Sequence, residues 1–323
     1  MDAQTVFRSP RSAEAANSFA ADVIAGLTTT PKQLSPKYFY DSIGSALFDR
    51  ITQLPEYYPT RCELALLEEH AAAMASLFPA SCVLVEFGSG SSKKARILLS
   101  AAASVVEAYV PVDISGDALQ QDAAELRRDF PALAVYPLVA DFTGAFDLPA
   151  GIAALPRVGF FPGSTIGNFE PGEAARFLRH VGALLGAGAV FLVGVDLVKD
   201  SELLHRAYND AGGVTARFNL NLLARINREL GANFDLAAFE HGAFYNRERN
   251  RIEMHLTSSK RQKVNVNGAT IEFRAGETIH TENSYKYTID SFQALAHTSG
   301  WSPLNVWSNG LFSVHALRRM DPP

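Results

Sequence analysis

Val85-Glu86-Phe87-Gly88-Ser89-Gly90-Ser91-Ser92-Lys93-Lys94 is the stretch whose reading decides the fold. An apolar run from Val83 ends at Phe87, two glycines follow, and a helical pattern begins near Lys93. Glycines at a strand-to-helix turn let the backbone turn sharply and approach a ligand closely, so Gly88, Ser89 and Gly90 are candidate cofactor contacts. The third glycine of the dinucleotide fingerprint G-x-G-x-x-G is absent, because Lys93 stands there. Turns of this kind also occur without a ligand, and the motif alone leaves that alternative open.

Outward from the turn, strands and helices alternate. Upstream, Leu64, Leu67, Ala71, Met74 and Phe78 recur at three and four residues and predict a helix from Glu63. Downstream, strands are expected over 108–114, 134–139, 157–161 and 189–197, with helices over 116–129 and 171–185. Nearly continuous apolar strands suit burial on both faces, and repeated strand–helix units imply a parallel sheet covered by helices.

The pattern changes after residue 198. Helical text over 201–231 gives way to alternating strands, in which Ile252, Met254 and Leu256 share one face and Asn267-Gly268 marks a tight hairpin turn. A helix over 290–299 and strands over 301–307 and 311–317 follow. At the N-terminus, 13–27 is a helical pattern, and Pro31 to Tyr58 is an irregular, aromatic-rich stretch. The expected division is an N-terminal segment (1–60), an α/β domain (61–198), an α+β insertion joined in space by the N-terminal segment (199–285), and a return to the α/β domain (286–323).

Composition bounds the function. The 323 residues are 47% hydrophobic and 20% charged, enough for a buried core. A net charge of −5 argues against nucleic acid as a partner. The densest basic run, Lys260-Arg261-Gln262-Lys263, reads as a solvated hairpin end. No apolar run has the length of a membrane span, and the N-terminus lacks the order of a signal peptide. Two cysteines, Cys62 and Cys82, fit a reducing cytoplasm and lack metal-ligand spacing. None of the eight histidines forms a metal-binding set in the sequence, and His241 and His255 read as ordinary strand or loop residues.

The expected strand ends carry suitable chemistry in order. Asp113 closes Tyr109-Val110-Pro111-Val112-Asp113 and can accept hydrogen bonds from both hydroxyls of a ribose; a helix cap is the alternative. Asp141 can accept from an adenine amino group while Phe142 covers the ring. Adenosine suits both NAD and S-adenosylmethionine, but no complete pyrophosphate loop is present. The final pair of strands matches the class I methyltransferase fold, whose last strand inserts antiparallel, an analogy at the level of fold.

Four further stretches are more specific: Pro36-Lys37-Tyr38-Phe39-Tyr40-Asp41, Leu54-Pro55-Glu56-Tyr57-Tyr58-Pro59-Thr60-Arg61, Phe161-Pro162-Gly163-Ser164-Thr165-Ile166-Gly167-Asn168-Phe169 and Thr281-Glu282-Asn283-Ser284. With Glu86-Phe87-Gly88-Ser89-Gly90, this set in this order resembles the S-adenosylmethionine-dependent histidine Nα-methyltransferases, which form hercynine in ergothioneine biosynthesis. The resemblance covers nearly the whole chain. It implies a class I methyltransferase Rossmann-like sheet with an inserted substrate-binding domain, S-adenosylmethionine as methyl donor, and L-histidine as a substrate methylated three times on its α-nitrogen. Lys94 and Gly163 join the cofactor set. Asn168 and Tyr40 are the candidate catalytic residues. Tyr57, Tyr208, Met254 and Asn168 are candidate substrate contacts, with Phe48 packing nearby.

The resemblance also implies that Glu282 and Ser284 set the specificity; taken alone, such a pair on a strand edge reads as solvated. Two apart on an extended segment, they project from one face, and a carboxylate with a hydroxyl can satisfy both nitrogens of an imidazole. Asn283 and Tyr285 flank the pair. The competing readings are methylation of another aromatic amino acid, a nicotinamide dehydrogenase (disfavoured by Lys93), and a non-catalytic regulatory protein that binds the cofactor.

Overall fold

The computed structural model describes residues 7–8 and 15–320. The chain packs as two compact units, one containing residues 59–198 and 286–320 with Phe7–Arg8, the other residues 15–58 and 199–285. The first two residues expected in the N-terminal helix, 13 and 14, lie outside the described residues; the helix is Ala15–Thr28.

The first unit is built on one sheet. Its spatial order is Phe7–Arg8, Leu138–Val139, Val106–Asp113, Cys82–Phe87, Arg157–Phe161, Val190–Asp196, Phe312–Arg319, Trp301–Ser308, with Ala134–Val135 also paired to Val106–Asp113. All neighbours run parallel up to Val190–Asp196; Phe312–Arg319 then inserts antiparallel between it and Trp301–Ser308. This is the class I methyltransferase arrangement, reversed strand included. Cys82–Phe87 and Val190–Asp196 are buried at every position, because helices cover both faces of the sheet.

On one face Leu84, Tyr109, Leu192 and Val314 pack with Leu67 of helix Tyr58–Ala75 and Leu98 of helix Lys93–Ala101. The other face is aromatic. Phe161 lies 4.5 Å and Phe87 6.0 Å, centroid to centroid, from Phe177 of helix Pro171–Leu185, and Trp301 donates its indole N–H to the Leu178 carbonyl at 2.9 Å. Side chains of this size bury about 1.5–3 kcal/mol each when withdrawn from water.

Three expectations are corrected. The strand expected over 134–139 is two short strands, because Pro137 between them has no N–H to give the ladder. The helical text of 201–231 is two helices, Ser201–Tyr208 and Val214–Leu230, parted at Gly213 (φ +62°). There the Asp210 carboxylate accepts the N–H groups of Val214 and Thr215, both at 2.8 Å, and starts the second helix. The stretch from Pro31 to Tyr58 is not irregular throughout: it holds a helix, Ser42–Ile51, capped by Asp41 on the Gly44 N–H at 2.7 Å.

The second unit centres on a four-stranded sheet in the order Lys32–Gln33, Thr278–Tyr285, Arg251–Ser258, Phe239–Asn246. A separate hairpin joins Gln262–Val266 to Ala269–Phe273. Its turn residues Asn267 (φ +48°) and Gly268 (φ +86°) are both left-handed, as the sequence predicts for an Asn-Gly hairpin. The basic run beside it is solvated and ion-paired, Lys260 to Asp235 and Lys263 to Glu272, each at 2.7 Å.

The first unit holds its own chain together where residues 199–285 leave it and return. Asp196 and Lys286 form a fully buried ion pair at 2.8 Å, and the backbone bonds Val198 N–H to Tyr287 O and Tyr287 N–H to Asp196 O run beside it. Breaking a buried pair from one side leaves the other charge in a medium that solvates it poorly. Asp196→Ala should therefore destabilise the protein by about 3–5 kcal/mol, read as a lower urea midpoint at unchanged slope; a midpoint within error of the parent refutes this role.

Candidate active site

In the first unit, the carboxyl ends of the parallel strands converge on the glycine turn. Gly88 (φ +70°) and Gly90 (φ +43°) both sit in the left-handed region. A Cβ at Gly88 would stand 3.2 Å from Phe142 Cε1, so the phenyl ring packs directly on the turn; one at Gly90 would meet nothing within 4 Å, and that side is open. Asp113 spans the turn: Oδ2 accepts the Gly90 N–H at 3.2 Å and Oδ1 the Ser115 N–H at 2.8 Å. Burial pushes its carboxyl up, opposed by these backbone N–H groups. The helix cap read as the alternative role for Asp113 is not formed, because Ser115 holds the N-cap position; the two backbone bonds instead orient the Asp113 carboxylate beside the turn. Asp141 Oδ1 accepts the Thr143 N–H at 2.9 Å, closing a local turn with Phe142 at its centre.

Lys94 is fixed by a residue the sequence reading did not single out. Glu63, fully buried, pairs with Lys94 Nζ at 2.5 Å and accepts the Gly163 N–H at 2.9 and 3.0 Å on its two oxygens. The only sequence signal for Glu63 is an acid at the position where the apolar helical spacing begins. Beyond Gly163 (φ +80°), Ser164 is also left-handed (φ +56°), and its hydroxyl accepts the Asp196 N–H at 2.9 Å. Backbone held in this region is costly for a residue with a Cβ and needs such support. The turn leads into Thr165–Asn168, where Asn168 is half-buried and its amide makes no hydrogen bond to another described residue.

Glu86, at the root of the turn, is fully buried. It accepts a hydrogen bond from the Tyr109 hydroxyl through Oε2, while Oε1 is buried without a partner. Burial pushes its carboxyl up to about 8, against the Tyr109 hydrogen bond and the Lys94 charge. An orphaned polar atom, an open glycine turn, a carboxylate and a ring at adjacent strand ends fit a polar, adenosine-bearing ligand.

In the second unit, a chain of aromatic contacts links the residues expected on the substrate side. Tyr40 meets Phe48 at 5.7 Å, Phe48 meets Tyr57 at 6.2 Å and Tyr57 meets Tyr208 at 6.3 Å, and the Tyr208 hydroxyl bonds Ser284 Oγ at 2.7 Å. Glu282 and Ser284 are buried on one face of their strand, opposite Met254 and Ile252 respectively. The flanking Asn283 and Tyr285 pair in register with Glu253 and Arg251 on the other face, and the Tyr285 hydroxyl accepts from Arg251 Nη1 at 2.7 Å.

The model of a family described as histidine-specific, S-adenosylmethionine-dependent methyltransferases matches residues 19–319. The chain belongs to that family. It is 43% identical over 293 residues to the histidine N-alpha-methyltransferase of Mycobacterium tuberculosis, covering 89% of this chain and 90% of that one. It is 42% identical over 303 residues to the corresponding Mycolicibacterium smegmatis enzyme, covering 91% and 92%. Ergothioneine biosynthesis protein 1 of Neurospora crassa is 30% identical over 309 residues, which span 90% of this chain and 33% of that protein. The methyl donor is S-adenosylmethionine. Among the described residues no helix is long and apolar enough to cross a membrane.

The Glu86 environment has a pH signature. Its native pKa of about 8 lies above the ordinary 4.5, so between these values the folded state holds a proton the unfolded chain has lost. Stability from this group is complete below pH 4.5 and falls as pH rises toward 8. Glu86→Gln, neutral throughout, should gain on the parent protein across that window in denaturant titrations. A parent–variant difference that does not change with pH excludes the raised carboxyl.

Proposed function

We propose that this chain transfers methyl groups from S-adenosylmethionine to the α-nitrogen of L-histidine, three times in succession, to give hercynine. The observation that carries the substrate is the buried set Glu282, Ser284 and Tyr208: a carboxylate beside a hydroxyl that is itself hydrogen-bonded, on one face of one strand. Such a set can accept from one imidazole nitrogen and meet the other, which an apolar pocket cannot do. The relatives' names agree with that choice.

The cofactor supplies a methyl group already activated on a positive sulfur, so the protein's task is alignment and exclusion of water. Asp113 and Phe142 are assigned to the ribose and the adenine, Gly88, Ser89, Gly90 and Gly163 to close backbone approach, and Lys94 to a negative group on the cofactor. Asp141 is assigned to the adenine amino group. The α-amine reacts only through its lone pair and must first lose a proton. The uncommitted Asn168 amide and the Tyr40 hydroxyl are assigned to orienting the neutral amine, with water accepting the proton. Tyr57, Phe48 and Met254 complete the proposed substrate wall. We place the reaction in the cytoplasm, in keeping with Cys62 and Cys82 standing outside any disulfide; burial pushes the latter up to about 11.

Incubation with S-adenosylmethionine and a panel of amino acids, followed by mass spectrometry, should show histidine carrying one, two and three methyl groups. Tyrosine or tryptophan as the preferred acceptor would replace histidine in this reading, and cofactor binding without any product would favour a regulatory protein. Glu282→Ala should raise the KM for histidine about 10- to 100-fold, for the loss of a charged hydrogen bond, and leave that for the cofactor nearly unchanged. Unaltered histidine kinetics would remove Glu282 from the pocket. Asp113→Ala should weaken cofactor binding by about 2–3 kcal/mol in calorimetry; equal affinity would end its ribose assignment.

A further inference from the structure

On the face of the second unit's sheet opposite Met254, Glu282 and Ser284, three side chains with metal-ligating atoms converge. Glu253 and His255 are two apart on Arg251–Ser258 and so share that face. His280 would point to the other face if its strand alternated without interruption. The pairing shifts between Met254–Glu282 and His255–His280, leaving Thr281 as an extra residue. Its hydroxyl donates to the Met254 carbonyl at 3.1 Å. This bulge reverses the alternation and brings His280 beside Glu253 and His255, which is the re-aiming that bulges perform. Candidate ligand atoms of the three residues lie within 4.8 Å of one another.

The details suit an ion. Glu253 Oε1 is held by Arg251 Nε at 2.8 Å and Asn246 Nδ2 at 3.0 Å, which turns Oε2 toward His255 Nε2 at 3.3 Å. Ligand atoms around tetrahedral zinc, each about 2.0–2.1 Å from the metal, stand about 3.3 Å apart. His280 Nε2 faces the Glu282 carbonyl at 3.1 Å, so the proton resides there and Nδ1 presents a lone pair. A backbone carbonyl fixing the far nitrogen in this way is the usual support of a metal-bound histidine. His255 Nδ1 is buried with no partner, so no hydrogen bond at that atom holds the ring against rotation. Burial lowers both histidine pKa values, with the neighbouring His255 also lowering that of His280, which favours the neutral imidazoles that ligation requires. The imidazoles stack at 4.8 Å, and closing the widest separation to a zinc edge requires a side-chain shift of about 1.5 Å.

We propose that Glu253, His255 and His280 form a binding site for a divalent first-row transition cation, apart from the methyl-transfer site, with a further position open to water. Two imidazoles and one carboxylate suit zinc, nickel or copper better than calcium or magnesium, which prefer oxygen. The Arg251 guanidinium beside Glu253 opposes a cation, so occupancy is exchangeable rather than permanent. An ion here joins two adjacent strands from behind Met254 and Glu282.

The test uses the full chain, stripped with a chelator and titrated calorimetrically with zinc chloride alone, with cobalt(II) in parallel for its visible spectrum. One saturable equivalent is expected, with a nitrogen–oxygen cobalt spectrum and a melting temperature that rises with added zinc. His280→Phe, which keeps an aromatic ring in the stack, should weaken binding by about 100-fold or more, at or beyond the upper end of what loss of a supporting contact costs. His255→Asn should do the same, whereas His297→Asn, on an exposed helix position in the other unit, should leave binding unchanged. Metal-free melting and circular dichroism establish that the variants fold; should His280→Phe fail to fold, the His255→Asn titration and the cobalt spectrum of the parent decide. Absence of saturable binding, a stoichiometric site indifferent to the substitutions, or a thiolate-to-cobalt band from cysteine would each overturn the proposal.

Discussion

The carboxylate of Glu63 is the constraint on which the cofactor unit is organised. A fully buried anion is stable only if its oxygens are met by charge and hydrogen bonds, and here the Lys94 ammonium and the Gly163 N–H meet them. The contact also requires a residue without a side chain: a Cβ on Gly194 would come within 2.3 Å of Glu63 Oε1. One acid therefore fixes two helices, the turn after Arg157–Phe161 and a central strand at the carboxyl end of the sheet. Parallel sheets bind ligands at that end, so the interaction that organises the core also places the ligand-facing turn.

In the second unit the organising device is the Thr281 bulge. After it, Glu282 and Ser284 lie on the face of Ile252 and Met254; before it, His280 lies on the face of Glu253 and His255. One inserted residue thus divides the strand pair into two chemically different surfaces. One is joined to Tyr208 and its aromatic neighbours, and the other carries a polar network anchored by Arg251.

Much of this was legible in the sequence, and the failures have physical causes. Arg157–Phe161, Gly116–Asp129 and Pro171–Leu185 coincide with the expected spans, because their apolar spacing and end residues agree. The helix Ser42–Ile51 was hidden by the prolines, glycine and aromatics around it, although Asp41 is a good cap and Ile43, Leu47 and Ile51 recur at helical spacing. The glycine turn and the position of Asp113 at a strand end were readable because they are local properties, whereas the Glu282–Ser284 pair was singled out by family resemblance, since two-residue spacing alone gives a shared face and no role. Glu63 was not, since its partners are Lys94 and Gly163, far along the chain, and nothing nearby marks a buried acid. The meeting of His255 with His280 depends on a bulge, and alternation alone predicts the wrong face.

The buried Asp196–Lys286 pair and the Leu197–Tyr287 bridge belong wholly to the cofactor unit, and they pin the two points where the chain departs and re-enters. The last strands of the sheet are therefore tied to one another within this unit, at the neck of residues 199–285. Such a pinned doorway lets the intervening segment be exchanged or reshaped while the methyl-donor machinery stays intact. That freedom gives a physical route by which one scaffold can come to serve many different acceptors.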